Sequence, residues 1–181
     1  MSKEDQKGFT LLEVVVVIAM LTILTAIAGF YLVGRAQRAS LKKDANDIAH
    51  YMVLAKTGAI RDTTVWAIQF DPAGRQYVVL SNSGEDAGSE DWTDGDEVVY
   101  QRVRLSAKIN FGSGKGLRPG ATVLPIDGVS FSADRVVFNP NGTSESGTVY
   151  LKNDENETFA MSSLATTGRV KVWKNYGSGW D

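Results

Sequence analysis

Gly8-Phe9-Thr10-Leu11-Leu12-Glu13-Val14-Val15-Val16-Val17-Ile18 leads into a stretch with no charged side chain from residue 14 to residue 34, headed by a single acid, Glu13. A helix over those residues, at roughly 1.5 Å each, is about 31 Å long, the thickness of a bilayer's hydrocarbon core. Four valines in a row lower helix propensity in water. In lipid, however, every backbone amide of a lone segment must be bonded within that segment, so helix is the conformation left open. The sequence therefore predicts a transmembrane helix over residues 9–34. An acid in such surroundings is costly, about 2.5–3.5 kcal/mol at a helix centre and less near the end. Glu13 reads either as a boundary residue or as an acid met by a cation from a neighbouring chain, which would fix axial register in an assembly.

Helical spacing continues past the apolar run. Leu41, Ala45, Ile48, Met52 and Ala55 recur at alternating steps of four and three, with Ala49 beside them and Lys43, Asp47 and His50 on the other side. That pattern predicts an amphipathic continuation over residues 35–60, with Thr57-Gly58 offering a stop near Lys56. Beyond it the period changes to two. Trp66, Ile68 and Phe70 alternate along a strand, Asp71-Pro72-Ala73-Gly74 reads as a turn, and residues 76–80 return as the partner. Further strands are expected over 98–105, 108–111, 128–131, 135–138, 148–152, 158–161 and 169–173, separated by Gly, Asn, Ser and Pro clusters. The class is α+β: one long helix, membrane-spanning in its first half, whose amphipathic second half packs on an antiparallel sheet of a β-rich domain over 61–181.

Composition removes several kinds of chemistry. A net charge of -2 gives the whole chain no field that favours a polyanion, and the lack of cysteine excludes disulfides, thiolate ligands and a Cys nucleophile. His50 is the one histidine, so neither a zinc site nor a Cys-His dyad can be assembled, and no Gly-x-Ser-x-Gly elbow is present. Gly112-Ser113-Gly114-Lys115-Gly116 lacks the frame of a phosphate-binding loop. Residues 85–97 hold seven acids and no base, but their spacing departs from the EF-hand pattern, and they read as a solvated loop rather than a calcium site. Asn141-Gly142-Thr143 and Asn156-Glu157-Thr158 fit the glycosylation triplet by chance. No catalytic set, cofactor or metal is expected.

The junction Gly8-Phe9, the acid at Glu13 and the uncharged run behind it resemble the processing site of type IV pilins and type II secretion pseudopilins. Val136-Val137-Phe138-Asn139-Pro140-Asn141-Gly142-Thr143, then Gly147-Thr148-Val149-Tyr150-Leu151, then Thr167-Gly168-Arg169-Val170-Lys171-Val172, resemble the C-terminal half of the GspH/FimT branch, and the C-terminal cysteine pair usual in major pilins is absent. The resemblance implies a pilin-like fold and a leader over residues 1–8 that a prepilin peptidase removes after Gly8. It also implies N-methylation of Phe9 and pairing of the Glu13 carboxylate with the Phe9 amine of an adjacent subunit. Partners would be other pseudopilins or pilins of the same filament, an inner-membrane assembly platform, and membrane lipid before assembly. The chain would cross the inner membrane once, with its C-terminal domain in the periplasm, as a minor pseudopilin of a type II secretion system.

Rival expectations sit beside this one. Arg35, Arg38, Lys42 and Lys43 outnumber Lys3 and Lys7 across the span, so charge counting alone would keep the large domain in the cytoplasm. Ala26-Ile27-Ala28 has the form of a signal-peptidase site, but the leader lacks a positive excess. The alternative function is a minor type IV pilin of the FimT type, acting in pilus assembly or DNA uptake. Some such proteins carry a Gly-Arg-Val-Arg motif that this chain approximates at Gly168-Arg169-Val170-Lys171. Arg169, Lys171 and Lys174 would then contact DNA phosphates, against the opposing acids at 154–157.

Overall fold

Among the described residues an α-helix and eight strands follow one another in chain order: α1 (Leu11–Asp62), β1 (Val65–Asp71), β2 (Gln76–Asn82), β3 (Glu97–Arg104), β4 (Asn110–Phe111), β5 (Arg135–Phe138), β6 (Gly147–Lys152), β7 (Thr158–Leu164) and β8 (Arg169–Asn175). This computed structural model describes residues 10–82, 92 and 97–181, with residues 28–34 described by backbone alone. The leader and the Gly8-Phe9 junction lie outside the described residues, as does the acidic segment apart from Trp92 and Glu97. The backbone divides into two units, Met1–Ala36 and Gln37–Asp181.

In the first unit the described hydroxyls of α1 bond to the helix's own backbone. Thr22 Oγ1 donates to Ile18 O at 2.7 Å, and Thr25 Oγ1 donates to Leu21 O, so the hydroxyls in the apolar run are satisfied within the helix. Among the described residues no helix is long and apolar enough to cross a membrane. The described side chains of the expected span end at Ile27.

In the second unit the predicted stripe on α1 forms one wall of the core. Leu41, Ala45, Ile48, Met52 and Ala55 are buried, and Ala59 extends the row by one further turn. They pack with Ile68, Phe70, Tyr77, Val79, Val149 and Phe159, among others, in a single apolar cluster that draws on both sheets. Burying a Leu, Ile or Met side chain contributes about 1.5–3 kcal/mol, so this row is a principal stabiliser of the unit. Polar ties fix the packing: Asp44, itself buried, accepts from Ser106 N–H at 2.7 Å and Ser106 Oγ at 2.8 Å. The Arg75 guanidinium donates to the carbonyls of Ser106 and Ile109 at 2.7–3.0 Å, clamping the segment after β3 against the β1–β2 turn.

The strands make two antiparallel four-stranded sheets, ordered β3-β2-β1-β5 and β4-β6-β7-β8. The β1–β2 hairpin pairs from Val65↔Asn82 to Asp71↔Gln76, as its alternation predicts. Two expectations need correction. α1 runs to Asp62 instead of stopping at Gly58, and the residue that turns the chain out of the helix is Thr63, with φ 54. Residues 128–131 form no strand; Val129 makes a single bridge to Val149, flanked by the Tyr150 N–H to Gly128 O bond at 2.7 Å and the Ser130 N–H to Thr148 O bond at 2.9 Å, because β4 takes the rest of that edge of β6.

Candidate functional site

Among the described residues, the start of α1 and the outward face of β8 are where the expected site residues fall. At the first, Thr10 precedes the helix and caps it. The Glu13 N–H donates to Thr10 O at 3.1 Å and Thr10 Oγ1 at 3.2 Å, the Thr-x-x-Glu arrangement that satisfies an otherwise orphaned first-turn donor. Glu13 thus has a local role that sequence reasoning missed, although the spacing shows it: its charge favours the helix N-terminus. Among the described residues its carboxylate is in no ion pair. Around and behind it Leu12, Val15, Ile18, Leu21 and Leu24 are each more than half exposed. This first part of the helix therefore presents a sleeve of apolar side chains that no other described residue of its own unit covers.

At the second feature, Gly168 with φ 53 turns β7 into β8, and a Cβ there would stand 2.7 Å from Gly142 O. Period two then places Arg169, Lys171 and Trp173 on one face, while Val170 and Val172 pack against the core. The Lys171 Nζ lies 3.3 Å from the Trp173 ring centroid, and the Arg118 guanidinium lies 5.6 Å from it on an irregular segment far away in sequence. Trp173 Nε1 donates to Ser162 Oγ at 3.0 Å, and Arg118 Nε donates to Thr148 Oγ1 at 2.8 Å, holding both side chains. Together with Ser163 and Leu164 they line a cavity of about 280 Å³.

The structure brings Arg169 and Lys171 together and adds Arg118, which no sequence pattern signalled. Lys174 does not join them, since it stands one step out of phase, beside Val172 on the other face. Of the nearby acids, Glu157 is buried and receives Arg38, so its charge is taken up internally. His50 is exposed, with its ring 5.5 Å from that of Tyr51. Among the described residues no three His, Asp or Glu side chains gather as a metal site.

Residues 4–29 match the prokaryotic N-terminal methylation motif, and residues 44–168 match the family described as type II transport protein GspH. No curated protein sequence matches the chain. Among solved structures, the minor pseudopilin EpsH from the type 2 secretion system of Vibrio cholerae is 11% identical, with a TM-score of 0.49 over 74% of this chain and 95% of that one. The type IV minor pilin FimU of Pseudomonas aeruginosa is 12% identical, with a TM-score of 0.50 over 75% of this chain and 90% of that one. At this identity the second likeness is one of fold.

Proposed function

The chain belongs to the type II transport protein GspH family, and from that premise we propose that it is a minor pseudopilin of a type II secretion system. In this reading it is a structural subunit, held in the inner membrane by one pass of α1, with the second unit in the periplasm. A prepilin peptidase cuts between Gly8 and Phe9, Phe9 is methylated, and the assembly platform moves the helix from lipid into a filament of related subunits. The observation that carries the reading is the uncovered apolar sleeve of α1 headed by Glu13, behind a match to the methylation motif. Such a surface needs lipid or sister helices around it. Glu13 then supplies register, its carboxylate meeting the new amine of Phe9 on an adjacent subunit.

Replacing Glu13 by Ala tests this. Membrane insertion and leader removal should be unchanged. Incorporation into sheared filaments should fall about tenfold or more, the scale of one lost charge-assisted hydrogen bond of 1.5–3 kcal/mol. Normal incorporation of Glu13→Ala would refute the pairing role.

A second reading, a minor type IV pilin that contacts DNA, is favoured by one observation, the cationic face of Arg169, Lys171 and Arg118. Retarded migration of a DNA duplex at low salt, lost in an Arg169→Ala/Lys171→Ala variant, is its expected signature.

A further inference from the structure

We propose that the outer edge of β8 binds an extended acidic polypeptide segment, taken up as an antiparallel strand alongside Val170 and Val172. The inference goes beyond the filament reading and does not depend on it. β8 ends its sheet, and one residue already shows how its edge is used. The Lys174 N–H donates to Asp181 O at 3.1 Å, and the Asp181 N–H donates to Lys174 O at 2.9 Å. This reciprocal pair means that Lys174 turns its backbone groups away from β7. Because an antiparallel ladder alternates, Val172 and Val170 turn their N–H and C=O outward as well. Among the described residues those groups have no backbone partner. Among the described residues nothing takes up the two further ladder positions of the rail that Asp181 starts.

Side chains select what lies on that rail. Arg169 and Lys171 stand two residues apart on the open face, both exposed, and among the described residues neither is in an ion pair. A strand beside them is favoured when it carries acids at alternate positions, since opposite charges across a pair stabilise it and like charges destabilise it. The same cations oppose pairing of two β8 edges from two copies of the chain. Arg118, across the cavity, adds a third cation to this face. Lys171 lies 3.3 Å and Arg118 5.6 Å from the Trp173 ring centroid, so a base stacking there competes with two cations. That argues for a peptide over single-stranded nucleic acid, which relies on open aromatic platforms.

The full chain in detergent micelles is titrated at low salt with a short peptide alternating Glu and Val, with its Lys-Val counterpart, and with a DNA duplex. Hydrogen exchange is read at individual amides. The Glu-Val peptide should bind about tenfold or more tighter than the Lys-Val peptide, and the Val170 and Val172 amides should exchange more slowly in its presence. Arg169→Glu/Lys171→Glu should reverse the peptide preference while thermal unfolding stays unchanged. Equal binding of the two peptides, unaltered exchange at Val170 and Val172, or displacement of the peptide by the duplex would each overturn the proposal. None of these results bears on leader cleavage or filament incorporation, by which the filament reading is judged separately.

Discussion

Replacing Arg38 by Ala strips a buried acid of its cation, and the structure fixes the scale of the effect. Glu157 is 4% exposed. Its Oε1 accepts from Arg38 Nε at 2.9 Å and also from Arg38 Nη2, and its Oε2 accepts from Asn153 Nδ2 at 3.0 Å. The Arg38 guanidinium also lies 4.9 Å from the centre of the Tyr176 ring. In Arg38→Ala, Oε1 has no donor, yet the carboxylate stays where water reaches it poorly. A hydrogen bond to a charged group is worth about 1.5–3 kcal/mol. The Arg38 side chain is 54% exposed, so water replaces part of what is lost. A net cost of about 2–3 kcal/mol follows, and with an unfolding entropy near 0.3 kcal/mol per degree for the second unit the melting temperature should fall by about 7–10 °C. Thermal unfolding of the full chain in detergent, followed by near-UV circular dichroism, reads this directly. Adding Glu157→Gln to the variant neutralises the stranded acid and should restore about half of the loss. A shift below about 2 °C in the single variant, or a double variant no more stable than the single, would refute the reasoning.

Other perturbations test other joints of the fold. Gly58→Ala should lower stability by about 1–3 kcal/mol in the same melt, because its Cβ would stand 2.7 Å from the rigid Trp66 indole. At Asp71 the Gly74 N–H at 2.7 Å and the Gln76 amide at 2.9 Å hold the carboxyl below its ordinary value. A depressed carboxyl contributes stability above its unfolded pKa and loses it as pH falls through the lower folded value. The difference between the parent and Asp71→Asn should therefore be full near neutrality and shrink on acidification below about pH 4, which melts across pH 2–7 would show. A constant difference across that range would contradict it.

Much of the second unit was legible because its signals are local. The steps from Leu41 to Ala55 mark the face of α1 that the core buries, and alternation through Trp66, Ile68 and Phe70 marks β1 together with its hairpin. Helix termination misled for a physical reason. Gly58 is small to admit the Trp66 ring rather than to end the helix, and the turn falls to Thr63, a residue type that carries no stop signal. The division into two sheets was not legible, since β1 finds β5 across some seventy residues and no local pattern encodes that pairing. At the candidate site, Arg169 and Lys171 were readable by their period, which also sets Lys174 on the opposite face. Arg118 was not, because it reaches Trp173 from an irregular segment without periodicity.

Under the proposed function, cleavage after Gly8 makes Phe9 the first residue of the apolar helix. Mass spectrometry of the mature N-terminal peptide, taken from membranes and from sheared filaments, tests it most directly. The predicted result is a peptide that begins at Phe9 and carries one added methyl group. A chain that still begins at Met1 in filaments, or one cut after Ala28 to begin at Gly29, would contradict it.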